Sequence, residues 1–311
     1  MSKAPRISLY TLNPFFYIQT RKLFLWFIII GCIVAVQILQ IDWLTPVVIL
    51  KSREDFEFVD PIYENLCNLI VLTICLALLN KQAKIRKINT QQIIGKLPNN
   101  FQWLPIVILA SFKVVFSYGI YRVFNYPLSF IVPQWMETNL AQSFFSDPLE
   151  STLPTLCFVF SFFTSISSEL FVTLVIYGII LHRWAFKWGN AKAVLGIGLL
   201  HGIAAYTNFI NGFITGVIVC LLYIKTRTLI VPMVFRIISM LISLTLEVYH
   251  FFVVQSNSDN VLQQFQSEFK LGIILFSIST PYIIWWLHKN WLNKNEELPY
   301  FANEQCFADK A

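Results

Sequence analysis

The sequence predicts an all-α fold: a polytopic membrane helix bundle of about eight transmembrane helices, with both termini on the cytoplasmic side. Three observations predict it. Hydrophobic residues make up 56% of the 311 positions and charged residues only 13%, against about 25% charged in an ordinary soluble domain; mean hydropathy is +0.63. Apolar runs long enough to cross about 30 Å of hydrocarbon recur along the chain. Between those runs, positively charged loops alternate with negative or uncharged ones.

The elements follow in order. The first run, 23–41, comes after Lys3, Arg6, Arg21 and Lys22, a +4 segment that the positive-inside rule keeps cytoplasmic. It is a full span without a small-residue cleavage site, so it reads as an anchor and not as a removable signal. A loop netting −3 (Asp42, Lys51, Arg53, Glu54, Asp55, Glu57, Asp60) leads to the span 62–80. A +5 loop (Lys81, Lys84, Arg86, Lys87, Lys96) precedes 101–121. The stretch 125–146 is broken by Pro127 and Pro133 and reads as interfacial, inside a segment 122–150 that nets −2. Span 152–181 ends at Arg183, Lys187 and Lys192. The next two, 193–209 and 210–224, are short and joined by the uncharged "TNFIN", a tight hinge. Lys225 and Arg227 introduce 228–250. A loop netting −2 (Glu247, Asp259, Glu268, Lys270) then leads to the last span, 271–287.

This alternation accounts for the overall charge of +6. No basic patch is interleaved with aromatics, so nucleic acid is excluded as a partner; the bilayer is the expected one. The six cysteines show no paired spacing. Cys32, Cys75, Cys157 and Cys220 fall within spans and read as packing, and Cys306 is misplaced for prenylation. There is no phosphate-cradling glycine loop and no internal repeat.

Function is therefore sought among the ionisable residues inside spans: Glu64, Lys113, Glu169, His201 and Arg236. A carboxylate at mid-helix, such as Glu169 in "SISSELFVTL" (165–174), costs about 3 kcal/mol on insertion scales, and such groups mark functional sites by default. They have polar company. Ser161, Ser165 and Ser168 recur at helical spacing, and Glu169 and Thr173 share a face at i, i+4. Arg236, Ser239, Ser243 and Glu247 form a stripe on the seventh span. Gly198 and Gly202, then Gly212 and Gly216, form two GxxxG patterns that let backbones approach closely. A polar centre built from the fourth, fifth and seventh spans follows. Glu169 and His201 are expected to face each other there, with Arg236 as the ion-pair partner of Glu169. Lys113 reads as a snorkelling or paired cation.

These residues resemble the CPBP family of intramembrane peptidases, the CAAX-protease and bacteriocin-processing family, whose motifs are EExxxR, FxxxH and HxxxN. "SELFVTL" at 168–174 resembles the first motif and "AVLGIGLLHG" the second, with Ile197 where Phe is usual. "NGFITGVIVCLLYIKTRTLIVPMVFRIISM" resembles the third block, with Pro232 four positions before Arg236. The resemblance covers roughly 152–245. It implies three regions: 1–151, N-terminal transmembrane helices with the interfacial segment; 152–250, a core like the family's catalytic core; and 251–311, the last span and a cytoplasmic tail. It further implies an integral protein of a bacterial plasma membrane, no bound cofactor or metal, and a membrane-associated protein or peptide as substrate or partner.

Of the family's catalytic residues, Glu169 and His201 are kept as the candidate catalytic pair. Ser168 stands at the first glutamate, Thr173 at the arginine, Arg236 at the third-motif histidine and Met240 at its partnering Asn. Three readings stay open: an intramembrane endopeptidase hydrolysing peptide bonds, an inactive relative that binds membrane peptides or helices as a regulator or scaffold, and a small transporter using Lys113, Glu169 and Arg236 as an ion path.

Overall fold

A computed structural model describes residues 14–15, 60–85, 88–141, 154–205, 208–253, 261–293 and 296–308. The expected first span, 23–41, lies outside the described residues. Among those described there is no strand, and six helices are long and apolar enough to cross a membrane. The protein is an integral membrane protein of the all-α class.

The chain divides into two compact units, Met1–Thr90 with Asp147–Val175, and Gln91–Ser146 with Ile176–Ala311. In the first, α1 (Asp60–Ile85) packs along α6 (Pro154–Val172). The amide of Asn65 donates to Ser161 Oγ at 2.9 Å. An interhelical bond of this kind satisfies two polar groups that lipid could not. The serine spacing read from the sequence is thus partly a packing device.

The second unit begins with α2 (Thr90–Ile94), α3 (Leu104–Asn125), and the short helices α4 (Leu128–Ile131) and α5 (Pro133–Ala141). Neither α4 nor α5 is long enough to cross the bilayer, and Pro133 opens α5, where its missing N–H costs nothing. The long apolar helix α6 continues as a π-helical stretch, Thr173–Ile180, and then as α7 (Leu181–Trp188). After it come α8 (Asn190–Ala204), α9 (Phe209–Thr226), α10 (Ile230–Val253), α11 (Val261–Ser267), α12 (Phe269–Lys289) and α13 (Pro299–Ala308).

Two close helix pairs hold this unit together. In the first, α3 meets α12 where both carry glycine. A methyl group on Gly119 would lie 2.5 Å from the Phe276 backbone nitrogen, and one on Gly272 2.7 Å from Arg122 Cβ. Phe112 stacks on Tyr282 and Tyr126 on Phe269, with ring centroids 4.2 and 3.9 Å apart. In the second pair, α8 and α9 form the hairpin that the two GxxxG patterns predict. At 15 residues, α8 spans about 22 Å, so it does not cross a 30 Å core alone as the 193–209 reading has it.

Residues 296–308 lie across the ends of these helices. The Tyr300 N–H donates to His182 Nε2 at 3.2 Å, and Asn303 Nδ2 donates to the carbonyls of Gln92 and Arg227 at 2.8 and 2.9 Å. Glu296 accepts from Lys225 Nζ at 2.8 Å, and its carbonyl accepts from Asn190 Nδ2 at 2.6 Å. Tyr223 OH reaches the Ile93 carbonyl at 2.7 Å. Gly95 sits at φ +70 beside Arg227 and Asn303, where both the backbone conformation and the space require glycine.

The loop charges predict that 80–100 lies inside and 122–150 outside. Single-cysteine variants in the two loops, treated with a membrane-impermeant thiol reagent in intact cells, will label only in 122–150. Labelling of both loops or of neither would overturn the N-in, C-in topology.

Candidate functional site

In the second unit, His201 and Arg236 come together. His201 lies one turn from the end of α8, held there by the glycine-lined hairpin: a methyl on Gly216 would sit 2.9 Å from His201 Cβ, and one on Gly212 2.8 Å from the His201 carbonyl. Arg236 lies on the second turn of α10, one turn after Pro232, which occupies a first-turn position where its missing N–H is harmless. Arg236 Nη1 donates to His201 Nε2 at 2.9 Å and to the Tyr177 hydroxyl at 3.4 Å. The Tyr177 ring lies over the imidazole, with centroids 6.3 Å apart and planes 25° from parallel. Lys113, from α3, adds a second positive charge to the surroundings of His201.

The direction of this hydrogen bond fixes the state of the imidazole. A guanidinium only donates, so Nε2 carries its lone pair toward Arg236 and the ring proton sits on Nδ1. His201 is then neutral, with its basic nitrogen engaged and its other nitrogen a donor. A general base must offer a free lone pair within reach of the proton it takes. In this arrangement His201 offers none. Arg236 cannot supply the function either, since it neither takes nor gives a proton at physiological pH, although a guanidinium can stabilise a developing oxyanion.

The other candidates fall as follows. Met240, half-buried, is one turn beyond Arg236 on α10, and Ser239 is buried with its hydroxyl turned back to the Phe235 carbonyl at 2.9 Å. Ser168, Glu169 and Thr173 belong to the first unit, on α6 and the start of the π-helical stretch. Ser168 and Glu169 are half-buried, whereas Thr173 is buried and donates its hydroxyl to the Glu169 carbonyl at 2.7 Å. That bond lies where α winding gives way to π winding. Such π-helical turns are rare, and they recur at functional sites. Thr173 therefore serves the backbone, where the family's arginine would serve the glutamate side chain.

Two residues of this region were not singled out in the sequence. Tyr177 was hidden in the apolar run "LVIYGII", although a hydroxyl in such a run needs a partner. His182 is fully buried but falls just past the predicted span end.

Fold and centre together define a membrane-spanning helical protein with a hydrogen-bonded polar core built from residues distant in sequence. Residues 150–242 match the family described as type II CAAX prenyl endopeptidase Rce1-like. The CPBP resemblance read from the motifs is borne out over that stretch, which includes all six motif positions from Ser168 to Met240. No curated protein and no solved structure matches the chain.

Proposed function

We propose that this protein uses an intramembrane-peptidase framework, in a bacterial plasma membrane, to hold a membrane-associated protein or peptide without hydrolysing it. The observation that carries this reading is the 2.9 Å bond from Arg236 to His201 Nε2. It occupies the lone pair that a hydrolytic histidine needs. The substitutions Ser168, Thr173 and Met240 at motif positions agree with it. The family match and the retained Glu169 support the opposite reading, a working endopeptidase with Glu169 as its base.

Protein reconstituted in liposomes and given a fluorescence-quenched library of membrane-adjacent peptides separates the two. The wild type will release no product above the level of empty liposomes. The triple variant Ser168→Glu, Thr173→Arg, Arg236→His, which restores most of the family pattern, will gain measurable cleavage that Glu169→Gln removes. Wild-type cleavage abolished by Glu169→Gln would make the protein a peptidase.

A further inference from the structure

Helix α12 carries a groove of about 780 Å³ along one of its faces, a volume within the range of small-molecule sites. Ser277, Thr280, Pro281, Ile284 and His288 line it, at the i, i+3, i+4, i+7 and i+11 spacing that keeps residues on one side of a helix. The concavity follows from side-chain size. The small Ser277, Thr280 and Pro281 stand between the larger Phe276, Ile284 and Trp285 of the same lining. The Thr280 hydroxyl is turned back to the Phe276 carbonyl at 2.6 Å, so that part of the floor is apolar. The far end differs. His288 belongs, with Lys289, to the last turn of α12, and Lys289 Nζ is held 5.0 Å from the centre of the Trp285 ring. Trp285 is braced by Tyr282, with centroids 5.7 Å apart, and Tyr282 stacks on Phe112 of α3. Ile284 and Trp285 remain 60% and 53% exposed.

We propose that this groove binds one anionic glycerophospholipid, with an acyl chain against Pro281 and Ile284 and the phosphate at His288 and Lys289. Length favours a lipid. From Ser277 to His288 the helix rises about 16 Å, half of a hydrocarbon core about 30 Å thick. That is the reach of one acyl chain in one leaflet, whereas a partner transmembrane helix needs a seam across the whole core. Charge selects the headgroup. The Lys289 ammonium brings three N–H donors and the His288 ring at least one, and among the described residues no carboxylate lines the groove. Trp285 stands beside them as an amphipathic ring of the kind that gathers at the headgroup level. The loop charges predict that this end faces the cytoplasm, the side whose anionic headgroups attract basic residues close to a span. The site uses no residue of the His201–Arg236 centre and goes beyond the proposed function.

Full-length protein in detergent is given equal amounts of phosphatidylglycerol and phosphatidylcholine with identical chains, and bound lipid is counted by native mass spectrometry. The wild type will retain one phosphatidylglycerol about fivefold more strongly than phosphatidylcholine, the share of one lysine near an anionic headgroup. The double variant His288→Gln, Lys289→Gln will lose that preference while still holding either lipid. Ser277→Phe, which fills the floor of the groove, will lose both. Helical circular dichroism and lipid-free melting equal to the wild type show that a variant is folded; should Ser277→Phe melt early, Ile284→Trp narrows the same groove from its exposed wall. Three results overturn the proposal: equal retention of the two lipids by the wild type (a generic lipid layer only), a preference that survives in the double variant, or undiminished retention in the filled groove. A dimer that Ser277→Phe disperses would also overturn it, by making the groove a seam between two copies of the chain.

Discussion

Replacing Arg122 by methionine will destabilise the purified protein by about 3–5 kcal/mol, the range seen when one partner of a buried ion pair is removed. Arg122 is 6% exposed at the end of α3. Its Nε donates to Glu268 Oε2 at 3.0 Å, and Nη2 bonds both the same oxygen and, at 3.0 Å, the Tyr118 hydroxyl. The guanidinium also lies 3.7 Å from the centre of the Tyr118 ring. Glu268 stands just before α12, so the pair ties the end of one helix of the glycine-mediated crossing to the start of the other. Loss of Arg122 strands a mostly buried carboxylate. Thermal and denaturant unfolding in detergent of Arg122→Met, Glu268→Gln and the double variant form a cycle. The double variant will recover much of the loss, because it leaves no charge unpaired; simple additivity would show that the two residues are not coupled.

Gly216→Leu comes next in size, at about 3 kcal/mol, the upper end of the usual cost of overpacking. The first atom of any side chain there meets the Gly198 Cα at 3.0 Å as well as His201 Cβ at 2.9 Å, and backbone cannot rotate aside as a side chain can. Gly216→Ala will already show a smaller loss. The contrast is Gly196→Ala on the facing helix, α8: its new methyl meets side-chain atoms, the edges of the Trp184 ring at 3.2 Å and the Trp188 ring at 4.0 Å, and the loss will stay below about 1 kcal/mol, as for a mild packing change. Unfolding midpoints of the three variants rank them. If Gly216→Ala and Gly196→Ala lose equally, the hairpin is not held by backbone contact at Gly216.

The glycine hairpin was legible in the sequence because its signal is local, two small residues a turn apart on each of two successive helices. The helical class was legible for the same reason, since each apolar run states its own length. Arg122 and Glu268 were not: they are 146 positions apart, and each lies beside a loop, so both entered the reading as loop charges. Topology was then argued from residues whose first use is to neutralise each other. The meeting of His201 and Arg236 was half visible. Both were placed in one polar centre, with Glu169 as the expected ion-pair partner of Arg236, and nothing in the sequence named the His201 Nε2 as a further acceptor. The π-helical stretch left no mark at all, because "TLVIYGII" has the composition of any buried helix, and winding depends on what it packs against.

The fastening at residues 296–308 also sets an order of events during synthesis. His182 receives its backbone donor from a residue 118 positions later, and the Arg227 carbonyl receives Asn303 after 76. At 5–20 residues per second, an imidazole within one helix and the carbonyl that closes another wait on the order of ten seconds for these donors. A nascent chain that stalls before residue 296 never receives them. A quality-control machinery that samples unsatisfied polar groups would read such a chain as unfinished, even though every long helix up to that point is already in place.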